Sequence, residues 1–381
     1  MSKKTTGMPF DLPELPAKIN YDELVEPIAQ AHTALARLDE MFKHMGNPEH
    51  LESTYFTREA VLSSKIEGTQ VTLEDVLKED ANDGKKSSET TERERDFVEV
   101  MNYRKAMREG IAIIDAGQSL AENSIKALHR TLLRSARGRT RTPGEFRRDQ
   151  VYIAPEGTPI TEARYVPPAP RDIASLYSNF DKYFNKDDSE RDQLVQIAVA
   201  HYQFEAIHPF KDGNGRIGRL LIPLFLYKRK IIARPLIYIS KYFEEHRRDY
   251  YDLLADVSYK QAWTPWIRFF LHGLCEQANE ATQLGREIIS LRDDYRKHLA
   301  DFHSTYAFNL LDAIFRRPYF TPSIIRKESD IKNPQTLLTL ISKFVDAGIL
   351  KDVDPKKKRN KIYQFHALVR LLEGKKVTIA K

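Results

Sequence analysis

The sequence lacks most of what marks a secreted, membrane-spanning or fibrous chain. It has one cysteine, Cys275, in 381 residues, so no intramolecular disulfide forms and no oxidising compartment is called for. The longest apolar run, Leu220–Tyr227, is interrupted by Pro223 and falls far short of the ~20 residues that cross a bilayer. Met1–Pro13 carries Lys3 and Lys4 with no apolar stretch behind them, which predicts no secretory leader. Neither an internal repeat nor a low-complexity tract is present. The expectation is a soluble, cytoplasmic protein with no membrane partner. What is there suffices for packed cores: 41% hydrophobic and 30% charged residues exclude a disordered or fibrous chain, and the length predicts two or three domains.

The net charge of +6 is unevenly spread. Residues 301–381 hold sixteen Lys/Arg and eight Asp/Glu, a balance of +8, which leaves −2 for residues 1–300. A small basic module on a near-neutral body points to an anionic partner for that module.

Apolar periodicity and punctuation predict a mainly α chain. Helices are expected over Tyr21–Lys43, Thr57–Glu67 (with Gly68 as its C-cap), Phe97–Arg108, Glu122–Arg137, Pro170–Phe184, Asp192–Ala206, Arg216–Lys228, Lys241–Tyr259 and Trp263–Lys297. The polar stretch Glu79–Glu94 reads as a loop. Val151, Ile153, Ile160 and Tyr165 alternate around Glu156-Gly157-Thr158-Pro159, a hairpin signal. Residues 305–373 read as helix, short helix, helix and hairpin, with Pro322 and Pro334 opening two of the helices and the basic loop Asp354–Asn360 between the last strands. That order resembles a winged helix. One reading is DNA binding, with helix Pro334–Ala347 in a major groove and the wing lysines on phosphates. The other is a protein-contact module, since the helix offers Gln335, Thr336, Thr339, Ser342 and Lys343 but no arginine for base readout.

The chemistry concentrates in His208-Pro209-Phe210-Lys211-Asp212-Gly213-Asn214-Gly215-Arg216-Ile217-Gly218-Arg219. The Gly213-Asn214-Gly215 turn lets successive N–H groups point one way as an anion nest, and it opens a helix whose N-terminus adds positive character. Arg216 and Arg219, three apart, can hold phosphate oxygens bidentately. Asp212 is a hard oxygen ligand suited to Mg²⁺ bound together with phosphates, and His208 suits a general base near neutral pH. Rival motifs fail on context. Gly213–Gly218 fits G-x-G-x-x-G, but a helix and not a strand precedes it. An EF-hand loop from Asp212 would place Arg216 and Pro223 at ligand positions. No second His or Cys stands at zinc spacing.

His208–Arg219 matches the Fic-domain motif HPFx[DE]GNGRxxR at every specified position. The chain therefore resembles the Fic family: a Fic-type helical bundle with a β-hairpin flap at residues 110–260, an N-terminal arm and helical region at 1–109, a connecting helix at 261–300 and the winged-helix module at 301–381. The resemblance implies transfer of AMP from ATP to a protein hydroxyl of Tyr, Thr or Ser. His208 would take the proton, Asp212 hold Mg²⁺ across the phosphates, Gly213, Asn214 and Gly215 form the anion hole, and Arg216 and Arg219, with Ile217 and Gly218 between them, bind the outer phosphates. A minority of the family moves phosphocholine, UMP or phosphate.

Ser63-Ser64-Lys65-Ile66-Glu67-Gly68 matches the family's inhibitory motif, [ST]xxxE[GN]. The match implies that Glu67 pairs with Arg219 and obstructs productive ATP binding from within the same chain; in some relatives such a glutamate also helps to remove AMP. By the same resemblance the hairpin, with Val151, Tyr152, Ile153 and Ala154, is a flap on which a target protein docks, and Tyr250 and Tyr251 contact the base. A nucleotide-sensing, DNA-binding regulator is the alternative from another class.

Overall fold

A computed structural model describes residues 7–43, 49–81, 91–135, 141–154, 157–187, 190–299, 302, 304–357, 360–375 and 377. Two helices pack along each other over most of the shorter one's length. α1 (Val25–Lys43) buries Ala31, Ala34, Leu35, Leu38 and Phe42, a stripe at three- and four-residue steps, along α11 (Trp263–Leu299). α2 (Glu49–Ile66) packs against α4 (Glu92–Asp115) and begins earlier than the sequence predicts. The stretch expected as a loop, Glu79–Glu94, begins on the last turn of α3 (Leu73–Asp80) and ends on the first turn of α4; residues 82–90 lie outside the described residues. Both helices open with a capping box, Thr72 with Asp75 and Thr91 with Glu94, each side chain reaching the other's backbone N–H. This satisfies amides that a helix end leaves unpaired.

α5 (Glu122–Leu132) packs against α4, and α6 (Ile173–Asn185) packs against α7 (Gln193–Ile207). α7 is buried along nearly all its faces, as a helix hydrophobic all round must be. It turns directly into α8 (Asn214–Lys228). α9 (Ser240–Glu245) and α10 (Arg247–Lys260) divide the single helix expected over 241–259. No helix among the described residues is long and apolar enough to cross a membrane.

Among the described residues, the hairpin expected over Val151–Tyr165 shows one antiparallel bridge, Ile153 with Tyr165. The reason is physical: residues 155, 159, 167 and 168 are prolines, which have no N–H for a ladder, and a short 3₁₀ turn, Ile160–Glu162, takes up the return arm.

In the C-terminal region, α12 (Thr305–Arg316) leads to β1 (Tyr319–Phe320), α13 (Pro322–Glu328) and α14 (Pro334–Asp346). β2 (Lys351–Asp352), β3 (Tyr363–Gln364) and α15 (His366–Leu372) follow. The strands form an antiparallel sheet in the order β1-β3-β2, with Gln364 opposite both Tyr319 and Lys351. Asn333 caps α14 by accepting from Gln335 N (2.8 Å) and Thr336 N (3.3 Å), with Pro334 in the first turn. α14 buries Leu337, Leu340, Ile341 and Phe344 and exposes Gln335, Thr339, Ser342 and Lys343. Of the basic loop, Lys358 and Arg359 lie outside the described residues.

Candidate active site

The α7–α8 corner is built by side chains that close its turn. Asn214 accepts from Phe210 N and donates to Phe210 O, both at 2.9 Å. Gly213 caps α8 in the left-handed region, φ +77°, where a β-carbon is penalised. Asp212 accepts from Gly213 N at 2.6 Å. The first amides of α8 have no partner inside the helix, so they face outward from a positive helix end.

His208 is the last residue before the turn, at φ 50° and ψ 58°. Its Nδ1 lies 3.3 Å from Glu205 O. A carbonyl only accepts, so Nδ1 carries the proton and Nε2 keeps its lone pair. Burial pushes the imidazole pKa down to about 4, with the Arg147 cation adding to the fall against the Glu205 hydrogen bond. His208 is therefore a neutral base at pH 7.

Two arginines enter from α8. Arg216 Nη1 donates to Glu99 Oε2 (2.9 Å) and Nη2 to Asp212 Oδ1 (3.4 Å). Arg219, 1% exposed in its side chain, donates through Nε to Ser63 Oγ (2.9 Å) and through Nη2 to Ser63 O (2.9 Å) and Glu67 Oε1 (2.6 Å). Ser63 and Glu67, one turn apart on α2 and just past its end, thus meet Arg219 together. The carboxylate lies close against Gly215, where a β-carbon would stand 2.5 Å from Glu67 Oε1. Burial alone would raise the Glu67 carboxyl, but Arg219, by charge and by hydrogen bond, holds it below the usual range. Gly68 follows at φ +104° and ends the segment.

Several supporting groups have no sequence signature. Arg147 is a buried cation spent on main-chain carbonyls: His208 O (2.8 Å), Pro168 O (2.6 Å), Asp149 O (3.1 Å) and Ile207 O (3.4 Å). It ties the left-handed residue His208 to both ends of the flap segment, and burial lowers its pKa to about 10. His129 accepts from Gly144 N at Nδ1 (2.8 Å), so its Nε2 donates to Asp212 O (2.9 Å). Burial holds it neutral, with a pKa of about 4, and it stacks on Phe210 at 3.7 Å. Glu59 lies beneath Arg219, accepting from Ser240 Oγ, from Ser240 N (3.3 Å) and from Tyr103 OH (3.3 Å); burial raises it to about 7. These partners are distant in sequence, so neither spacing nor periodicity reveals them.

The remaining expected residues divide. Ile153, Arg164, Tyr165, Glu205, Tyr251 and Ser258 are among the residues lining a small cavity of about 60 Å³ beside the corner. Val151 lies at the base of the same segment, where Gln150 Nε2 donates to Val151 O (3.0 Å) and Pro167 O (2.8 Å). Tyr152 is exposed. Tyr250 is buried, stacked on Phe243 at 4.5 Å. Its hydroxyl bonds to His201 Nε2 (2.9 Å) while His201 Nδ1 serves Gly218 O. Tyr251 thus faces the cavity and Tyr250 the core. Ile217 is core, and Gly218 passes against Glu205, whose Oε1 would stand 2.2 Å from a β-carbon there. Among the described residues, no group of three or more His, Cys, Asp or Glu gathers to hold a metal.

Residues 25–112 match the Fic/DOC family N-terminal region and residues 119–226 the Fic/DOC family. Over 127 residues, 33% of the chain, it is 38% identical to "Protein adenylyltransferase Fic" of Culex quinquefasciatus and 35% identical to that of Drosophila melanogaster. These stretches span 22% and 23% of those relatives, so the match covers less than a quarter of their length. Among solved structures, a Fic family protein of Desulfovibrio desulfuricans G20 is similar at TM-score 0.60 and 20% identity, over 92% of this chain and 98% of that one. Fic-1 (aa134–508) of C. elegans is similar at TM-score 0.53 and 21% identity, over 71% and 75%.

Proposed function

The chain belongs to the Fic/DOC family, and on that premise we propose that it transfers AMP from ATP to a hydroxyl side chain of a protein, under restraint by its own Glu67. The observation that carries the reading is a neutral His208, with a free Nε2, set beside the amide-lined start of α8 and its two arginines.

His208 Nε2 accepts the proton of the target hydroxyl as its oxygen bonds to the α-phosphorus. The bond from that phosphorus to the bridging oxygen breaks, and diphosphate leaves with the electron pair. The α8 amides and the arginines stabilise the charge that spreads over the phosphoryl oxygens. Arg147 holds the His208 backbone, fixing the base before substrate arrives. Asp212, partly exposed and flanked by the nest, fits a Mg²⁺ that takes one carboxylate plus substrate phosphates and water. Such an ion would neutralise phosphate charge.

The cavity at Tyr251 is proposed for the base: it is apolar and aromatic, with few polar groups. Target docking is proposed on the flap. Ile153 uses its N–H and C=O on Tyr165 and Arg164, so the groups of Tyr152 and Ala154 face the opposite edge, open to an added strand. The restraint is proposed at Arg219, whose guanidinium is held by Glu67 and Ser63 and so withheld from a γ-phosphate.

Parallel incubations with ATP labelled at the α- or the γ-phosphate test the reading. Protein-bound label from the α-position alone is expected. Label from the γ-position would replace AMP transfer with phosphate transfer.

A further inference from the structure

A second anion-binding feature lies away from the α7–α8 corner. Between the N-terminal helices and the C-terminal region is a cleft of about 620 Å³. Four guanidinium groups line it, two from each wall: Arg104 and Arg108 of α4, and Arg316 and Arg317 at the end of α12. Arg104 and Arg108 stand one turn apart and so present neighbouring side chains.

Asp80 and Glu328 are the carboxylates in this lining, and both are engaged. Arg104 Nη1 donates to Asp80 Oδ2 at 2.7 Å. Arg317 pairs with Glu328, and Arg316 Nη2 donates to the Glu328 carbonyl at 2.5 Å. Among the described lining residues, four cations stand against two carboxylates, a formal balance of +2. The excess is felt at Arg108. It makes no hydrogen bond or ion pair with any described residue, and it is open to solvent. Partial burial, then the like charge of Arg104, hold its pKa below the ordinary range against the opposite pull of Asp80, with Arg317 adding to the fall.

A cleft that gathers like charges from two separate elements is stabilised by an anion that both walls can share. A guanidinium fork matches two oxygens of one phosphoryl group, and two walls with two forks each match a chain of two. We propose that this cleft is a binding site for a diphosphate group, free or as the phosphate chain of a nucleotide, with Arg108 its principal donor. Occupation ties α12–β1 to α3 and α4, because Arg316 and Arg317 lie on one side and Arg104 and Arg108 on the other. Thr54 of α2 borders the same cleft, so the ligand sits at the far end of the helix that carries Ser63.

Isothermal titration of the full chain with inorganic diphosphate, and separately with ADP, tests the site in wild type, Arg108→Gln and Arg108→Lys. The α8 start also attracts phosphate, so the readout is the part of the binding that depends on Arg108. Loss of a charged, two-pronged donor is expected to weaken that binding about tenfold or more, with Arg108→Lys restoring only part. An Arg108-dependent affinity equal for both probes assigns the site to diphosphate itself; a tighter one for ADP assigns it to a nucleotide. Because Arg108 is exposed and unbonded, ligand-free melting of Arg108→Gln should match wild type, which separates binding from folding. Titrations superimposable between wild type and Arg108→Gln for both probes would overturn the proposal.

Discussion

Removing the Glu67 carboxylate is the perturbation whose size the structure lets one work out. Arg219 is held at three points, and only one of them, Nη2 to Glu67 Oε1 at 2.6 Å, is a charge pair. A charge-assisted hydrogen bond is worth about 1.5–3 kcal/mol. A phosphate that must displace the carboxylate gives up that amount, roughly ten- to a hundredfold in occupancy. Glu67→Gly is therefore expected to raise the initial rate of protein labelling from α-labelled ATP by that factor. Ser63 still holds Nε and Nη2, so the arginine keeps its place. Glu67→Gln, which keeps the volume against Gly215 but not the charge, should fall between wild type and Glu67→Gly. The sign of the pH dependence follows from the lowered carboxyl. A depressed folded value means the pair is intact above the ordinary carboxylate pKa and is lost only as pH falls through the lowered one. Wild type should stay restrained from pH 8 to 5. Equal rates for wild type and Glu67→Gly, or release of wild type near pH 6, would refute the reasoning.

Other substitutions separate positioning from packing. Arg147→Met removes four carbonyl contacts around His208 and is expected to lower kcat more than it raises KM for ATP, with Arg147→Lys recovering part; steady-state kinetics beside a thermal melt checks this. Tyr251→Ala should raise KM for ATP, whereas Tyr250→Phe should leave KM unchanged and cost about 1 kcal/mol of stability through the His201 bond. Glu59, raised by burial to about 7, favours the folded state while protonated, so its contribution is full below the ordinary carboxylate pKa and lost as pH rises through about 7. On the order of 3 kcal/mol is involved, and Glu59→Gln should flatten the fall of melting temperature between pH 4.5 and 7.

The α7–α8 corner was legible in the sequence because its parts are contiguous. A nest, a base, an acid and two arginines within twelve residues need no tertiary knowledge to be grouped. Glu67 was legible only through its motif, since its partner lies 152 residues away. Arg147, His129, Glu99 and Glu59 act through contacts made only once helices pack, and as single charged or polar residues they look like any others. The starts of α3 and α4 are written in the sequence, for Thr72-x-x-Asp75 and Thr91-x-x-Glu94 follow the capping-box pattern. The flap shows the opposite failure. Its alternation was real, yet prolines without N–H groups cannot extend a ladder, and one bridge remains.

The most direct measurement is the intact mass of three proteins after incubation with ATP, Mg²⁺ and cell lysate: wild type, Glu67→Gly, and Glu67→Gly combined with His208→Ala. A gain of one AMP on protein in the Glu67→Gly reaction, little in wild type and none in the double variant is the predicted result. An AMP gain that persists without the His208 imidazole, or none in any of the three, would contradict it.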